Sequence, residues 1–177
     1  MNRRHDEPVR PAEAESAARL REALGTLSGL PVSRKGFAAN SIHIWLGPHP
    51  MRDDAIAFLV HPAWQLLIPG RDIVSSDEAP AARDGDDEAA YRAGMERFWR
   101  RTDMLGRRRL EQASLIQPQN RLRLVFDGEL VLEQWPSSPF PEEDDEGFED
   151  WNLRFYARGE RFTVTRDAVV VGTIDSD

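Results

Sequence analysis

The chain contains no cysteine among its 177 residues, and this absence removes several classes of function. A protein without thiols cannot form disulfides, use a cysteine nucleophile or bind zinc through sulfur. The absence fits a reducing compartment, so we expect a cytoplasmic protein. No run of residues approaches the roughly 18 apolar positions of a membrane-spanning helix, and residues 1–11 lack the apolar core of a signal peptide. A membrane partner is therefore not expected.

Lysine is nearly absent as well, because Lys35 is the only lysine among 23 basic residues. The 31 acidic residues give a formal net charge of −8 and an isoelectric point near 5.1. An acidic chain repels a phosphate backbone, so we expect no nucleic acid partner. The length and the 40 % content of hydrophobic residues suffice for one domain. We predict this single domain for residues 12–172, between a disordered N-terminus (1–11) and a frayed tail (173–177).

The strongest pattern is a two-fold repeat, with half-repeats at about residues 30–75 and 113–172. Each half has a hairpin of alternating apolar residues, which is typical of half-buried strands. Each then reaches a tryptophan, a side-chain amide and a leucine, in the triplets Trp64-Gln65-Leu66 and Trp151-Asn152-Leu153. Because the two tryptophans hold equivalent positions, we expect both in the core. The sequence therefore predicts two related antiparallel β-units.

Two further segments have helical patterns. Residues 12–27 are rich in Ala, Glu, Arg and Leu, which favour helices. Residues 86–105 carry apolar side chains at helical spacing, with acids in the first turn and arginines in the last. The predicted fold class is α+β, with two related antiparallel β-units, a central amphipathic helix and an N-terminal helix.

The register of the second hairpin follows from its turn, Asp127-Gly128. A plain two-residue turn would place apolar side chains of residues 121–126 opposite glutamates. One extra residue at the turn instead collects the apolar residues on one face and places Arg123 opposite Glu133. We therefore predict this longer turn, with a positive φ angle at Gly128.

The first candidate site is an acidic segment that follows the second hairpin. It has seven carboxylates within nine positions and lies near Trp135, which the predicted register puts on the face away from the core. Clustered acids accelerate association with a basic surface, and an exposed tryptophan supplies apolar contact area. We predict that a protein with a basic surface binds Trp135, Glu142, Glu143, Asp144, Asp145, Glu146, Glu149 and Asp150.

The alternative candidate is a pocket near His43, Trp45 and His61. The alternation of residues 41–47 and 55–61 puts these side chains on the face opposite the apolar triplets, with the two histidines as diagonal neighbours. Imidazole and indole rings are suited to line a pocket for a small molecule or substrate. The histidines lack the spacing of a metal site, and the acidic segment lacks the order of a calcium loop. Neither a metal nor a cofactor is expected.

Arginines cluster at and beyond the end of the central helix. The net negative charge of the chain argues against a phosphate-binding role for this cluster. We expect these arginines to pair with the acidic segment or to remain solvated at the helix end, and they are Arg97, Arg100, Arg101, Arg107, Arg108 and Arg109.

The repeated pattern resembles small bacterial proteins of the immunity-protein-like kind over about residues 25–170. In the second half, the resemblance lies in Leu122-x-Leu124-x-Phe126-Asp127-Gly128-x-Leu130, the acidic segment and Asp150-Trp151-x-Leu153. In the first half, it lies in residues 41–47 and Ala63-Trp64-Gln65-Leu66, where Gln65 replaces the arginine usual in those proteins. The resemblance implies a fold and a role in binding another protein, and it implies no catalytic residues.

The leading functional hypothesis is a cytoplasmic protein-binding module, an immunity-type neutraliser of a toxin or effector, without enzymatic activity. It rests on the acid excess, on aromatic residues away from the core, and on the lack of a recognised catalytic motif. The alternative is a small-molecule-binding protein or an enzyme with its pocket near His43, Trp45 and His61. A deep enclosed pocket would favour the alternative, whereas a flat surface with an exposed tryptophan would favour the first hypothesis.

Overall fold

A computed structural model of the chain describes residues 11–48, 54–71, 73–80, 87–135 and 149–174. This described part forms an α+β fold with two antiparallel sheets and two α-helices, as the sequence predicts. Residues 1–10 of the predicted disordered N-terminus and residues 175–177 of the predicted tail lie outside the described residues. None of the described helices is long and apolar enough to cross a membrane.

The helices are α1 (Pro11–Gly25) and α2 (Glu88–Arg100). In chain order the strands are β1 (Val32–Ala38), β2 (Ser41–Leu46), β3 (Ile56–Val60), β4 (Trp64–Leu67), β5 (Val74–Ser75), β6 (Leu110–Ile116), β7 (Arg121–Phe126), β8 (Leu130–Gln134), β9 (Trp151–Phe155), β10 (Glu160–Val164) and β11 (Val169–Thr173). The six-stranded sheet has the order β1-β2-β3-β9-β10-β11, and the five-stranded sheet has the order β5-β4-β8-β7-β6.

In the six-stranded sheet, β2 and β3 pair as the alternation predicts. Ile42 lies opposite Val60 and Ile44 opposite Phe58, and all four side chains are buried. A period of two then directs the intervening side chains to the outer face of the sheet. The prediction that the two apolar triplets share the core face is confirmed.

In the five-stranded sheet, β7 and β8 have the predicted longer turn. Arg123 lies opposite Glu133 and Phe126 opposite Leu130, and an ion pair of 3.5 Å joins Arg123 Nε to Glu133 Oε1. Gly128 has a φ angle of +70°. The predicted register and the predicted glycine conformation are both confirmed.

The two halves of the chain exchange strands between the sheets. The first half supplies β1–β3 to the six-stranded sheet and β4–β5 to the five-stranded sheet. The second half does the reverse, with β6–β8 in the five-stranded sheet and β9–β11 in the six-stranded sheet. In the described part of the chain, two strand pairings therefore join the halves, β3 with β9 and β4 with β8.

Trp64 and Trp151 mark the points where each half enters its second sheet. Each is the first residue of its strand, β4 or β9, and each is completely buried. The Trp64 ring lies 6.0 Å from that of Phe98, and the Trp151 ring lies 6.2 Å from that of Phe58. The expectation that both tryptophans belong to the core is confirmed.

The helices pack against both sheets. Helix α1 contacts β6 and β11, the edge strands of different sheets, and buries Leu20 and Leu24. Helix α2 begins after Asp87, whose side chain accepts a hydrogen bond of 2.9 Å from Ala89 N, and it places Phe98 against Phe37 and Trp64. The predicted 86–105 helix is shorter, because a 3₁₀ segment at Asp103–Arg107 follows it.

Two strands differ from the prediction. The strand expected at residues 113–116 begins at Leu110, where irregular pairing with β7 accommodates Glu111. The strand expected near residues 71–75 is confined to Val74–Ser75, since Ile73 is 48 % exposed and lies outside the pairing with β4.

Candidate functional site

Polar and aromatic side chains gather on the outer face of the six-stranded sheet. Alternation directs them outward from β2, from the end of β3, from β9 and from β10, while their neighbours along each strand enter the core. We call this surface the histidine–arginine face, and it comprises His43, Trp45, His61, Glu149, Asp150, Asn152, Arg154 and Arg161.

Trp45 is held in place at one side of this face. Its ring lies against Gly36 of β1, where a Cβ would be only 3.2 Å from Trp45 Cζ3. The Arg34 guanidinium carbon lies 5.3 Å from the centre of the indole, and the His43 ring lies 5.5 Å from it. Trp45 is only half-buried, so the face presents a positioned aromatic surface to solvent.

A hydrogen-bonded chain of side chains organises the opposite side of the face. Asn152 is fully buried, and its amide nitrogen donates to the Glu149 carboxylate. Arg154 Nε donates to Asn152 Oδ1 at 3.1 Å, and the Arg161 guanidinium pairs with Glu149. These four side chains restrain one another, which fixes two guanidinium groups in position.

The two histidines lie on the same face, as the alternation predicts. His61 Nδ1 is 3.1 Å from Ser41 Oγ. Burial lowers the pKa of His43 below its ordinary value, and the charges of Arg154 and His61 lower it further. Burial also lowers the pKa of His61, against the opposing effect of Glu149 and Asp150. Both rings are therefore neutral near neutral pH.

Part of the predicted acidic site joins this face. The Asp150 backbone accepts a bond of 3.0 Å from His61 N and donates one of 2.9 Å to Val164 O, and its side chain is buried. Glu149 contacts Asn152 and Arg161. The structure thus brings Glu149 and Asp150 together with the alternative site. The predicted residues Glu142, Glu143, Asp144, Asp145 and Glu146 lie outside the described residues.

Trp135 lies on the other sheet. It directly follows β8, where alternation directs it to the outer face of the five-stranded sheet. The Arg121 guanidinium carbon is 5.5 Å from its ring, and its backbone nitrogen donates to Ala63 O at 2.8 Å. Trp135 therefore follows a strand of the five-stranded sheet, whereas Glu149 and Asp150 precede β9 of the six-stranded sheet.

Three members of the face, Asn152, Arg154 and Arg161, were not predicted as site residues. Their signal is the alternation of polar and apolar residues in β9 and β10, combined with the pairing of Arg154 opposite both Ala57 and Arg161. The pairing with Arg161 lies within the second half, whereas the pairing with Ala57 depends on which strands of the two halves meet and cannot be inferred from either half alone.

Three open grooves of about 390 to 520 Å³ in the described part of the chain are lined by residues outside the histidine–arginine face. Within the same part, no three histidine or carboxylate side chains converge in the way that holds a metal ion. Comparison of the chain with protein-family models, curated proteins and solved structures finds no match.

Proposed function

We propose that this chain is a protein-binding module that uses the histidine–arginine face. The observation that carries the proposal is the set of contacts that position Trp45 and Arg154 on this face. The Trp45 ring lies against Gly36 and close to Arg34 and His43, and Arg154 donates a hydrogen bond to Asn152. Tryptophan and arginine dominate the binding energy of protein interfaces, and groups fixed in advance lose little entropy on binding.

The acidic segment adds a second element to the proposal. Residues 142–146 carry five carboxylates, and the segment ends at Glu149 and Asp150 on the histidine–arginine face. Acids at the rim of an interface mainly raise the association rate of a basic partner, whereas a desolvated aromatic anchor slows dissociation. In this proposal Trp45 is the anchor and the acidic segment attracts the partner.

The class of partner follows from the sequence resemblance alone. We propose a toxin or effector that the protein neutralises by covering part of its surface, in the manner of an immunity protein. The lack of cysteine is the reason to place this interaction in the cytoplasm.

The experiment begins with capture of binding proteins by the tagged full-length chain from a lysate of the source organism. The captured protein is then purified and its association and dissociation rates are measured by surface plasmon resonance. We expect Trp45→Ala to accelerate dissociation about tenfold or more. Reversal of the charges of Glu142, Glu143, Asp144 and Asp145 should slow association at low salt and have little effect at high salt.

Two tryptophans outside the face serve as controls. Trp99→Ala removes an exposed indole on α2 and should leave both rates within about twofold of wild type. Trp135→Ala tests the edge predicted from the sequence. If Trp135→Ala accelerates dissociation and Trp45→Ala does not, the partner binds that edge and the histidine–arginine face is not the interface.

A further inference from the structure

A second surface of the molecule carries excess positive charge on a chain with a net charge of −8. Two open grooves, of about 490 Å³ and about 390 Å³, meet at Met104, just after α2. Four arginines line them, and we call this surface the arginine groove, defined by Arg71, Arg101, Arg107, Arg108 and Met104.

The fold holds the groove in place through the residues between α2 and β6. Thr102 and Leu105 are completely buried, and Lys35 Nζ donates to Thr102 Oγ1 at 2.8 Å. These contacts anchor the 3₁₀ segment, so that Met104 stays half-buried while Arg107 is exposed. The groove is therefore built on an anchored turn.

Among the described residues, Asp103 also lines the groove and Glu78 contacts Arg101, and both carboxylates are already engaged in ion pairs. Asp103 pairs with Lys35 at 2.7 Å, and Glu78 pairs with Arg101 at 2.5 Å. Arg108 donates to the backbone carbonyl of Asp127 at 3.1 Å and pairs with no carboxylate in the described part of the chain. Arg71 and Arg107 form no ion pair with any residue that the structure describes, so positive charge is in excess.

The groove also has an apolar component. The half-buried side chains of Met104 and Ile68 line it together with Val74. Guanidinium groups bind carboxylates in a bidentate manner, and an apolar floor favours a ligand that carries a hydrophobic side chain between its charges. A phosphate backbone offers no such side chain.

We infer that the arginine groove binds an acidic segment of a partner protein, in which an apolar residue contacts Met104 and flanking carboxylates contact Arg71 and Arg107. This surface is distinct from the histidine–arginine face, and the inference does not depend on the function proposed for that face.

The test uses fluorescence anisotropy with the full-length protein and two labelled peptides of equal charge, one alternating Glu and Leu and the other alternating Glu and Ser. We expect the Leu peptide to bind at least about fivefold more tightly, and both affinities to fall as salt is added. Met104→Ala should reduce the preference for Leu, whereas Arg71→Glu/Arg107→Glu should weaken both peptides at least about tenfold.

The matched control is Arg21→Glu/Arg97→Glu, which makes the same change in net charge at exposed positions of α1 and α2. An equal loss of affinity in this control would show that only net charge matters and would overturn the inference. Failure of the Leu peptide to bind at millimolar concentration would also overturn it. So would tighter binding of a charge-matched oligonucleotide, since the groove would then be a general anion site.

Discussion

Trp64 and Trp151 make the same hydrogen bond in the two halves of the chain. The Trp64 indole nitrogen donates to Asn40 O at 2.7 Å, and the Trp151 indole nitrogen donates to Asn120 O at 3.0 Å. Each asparagine is the residue directly before the hairpin of its own half. The bond therefore ties the strand that enters the second sheet to the start of the hairpin in the first, and it satisfies a buried donor.

Replacing either tryptophan by phenylalanine removes this bond and leaves a small cavity. We expect Trp64→Phe and Trp151→Phe each to lower the free energy of unfolding by about 1–3 kcal/mol, since a completely buried side chain loses its hydrogen bond and part of its volume. Urea denaturation measures both. The control is Trp99→Phe at an exposed position, with an expected change below about 0.5 kcal/mol. Equal effects at all three positions would contradict a specific role for the asparagine carbonyls.

Gly128 allows a test of the turn between β7 and β8. Its φ angle is +70°, and a Cβ there would lie 2.5 Å from Arg108 Nη1. The arginine end can move away, but the backbone strain remains, so Gly128→Ala should cost about 1 kcal/mol or more. Gly106→Ala is the control, because this glycine has open space around its Cβ position and no positive φ angle. Thermal and urea unfolding measure the stability of both variants. Equal losses of stability in Gly128→Ala and Gly106→Ala would refute backbone strain at Gly128 as the cause.

The sequence predicts the local part of this fold well. The alternation around Ile42 and Val60 fixes one hairpin, and the turn at Gly128 fixes the other, because a slip of one residue would expose the core face. The pairing of β3 with β9 and of β4 with β8 joins the two halves, and several long-range pairings satisfy the same alternation. The exchange of strands between the sheets therefore could not be predicted.

The candidate site, too, could be predicted only in its local part. The diagonal placement of His43 and His61 follows from one hairpin, and it was predicted. Asn152 occupies an outward position that alternation marks as exposed, yet it is completely buried. Its burial depends on Glu149 and Arg154, which come from its own segment but are held there by contacts with other strands.

The histidines make stability depend on pH. Burial lowers the folded-state pKa of His43 and of His61 below the ordinary value of 6.5, so the unfolded chain takes up protons first as the pH falls. The stability contributed by the neutral rings is present above about pH 6.5 and decreases as the pH falls from that value toward the folded-state pKa. Arg154, Arg161, Glu149, Asp150 and Ser41 are the charged or polar groups that surround the rings.

We therefore expect the urea midpoint of the wild-type protein to fall between about pH 7 and about pH 5.5. The double variant His43→Gln/His61→Gln lacks both titrating groups and should show a smaller decrease over the same interval. A wild-type midpoint that is constant or rises toward acid pH would contradict the direction of the two pKa shifts.

The last prediction concerns Gly36, whose backbone lies against the Trp45 ring. Its φ angle is not positive, so alanine is free of backbone strain there and would by itself stabilise the strand by about 0.5–1 kcal/mol relative to glycine. The added Cβ, however, would lie 3.2 Å from Trp45 Cζ3, which is tighter than an ordinary contact and requires a shift of a few tenths of an ångström. The indole must move, and its contacts with Arg34 and His43 weaken.

Gly36→Ala should therefore destabilise the wild-type protein by about 1 kcal/mol, whereas in a Trp45→Ala background the same change should be neutral or stabilising. A double-mutant cycle by urea denaturation measures this reversal of sign. If Gly36→Ala has the same effect in both backgrounds, Gly36 does not position the Trp45 ring. The preorganisation of the histidine–arginine face must then come from its arginine and asparagine contacts alone.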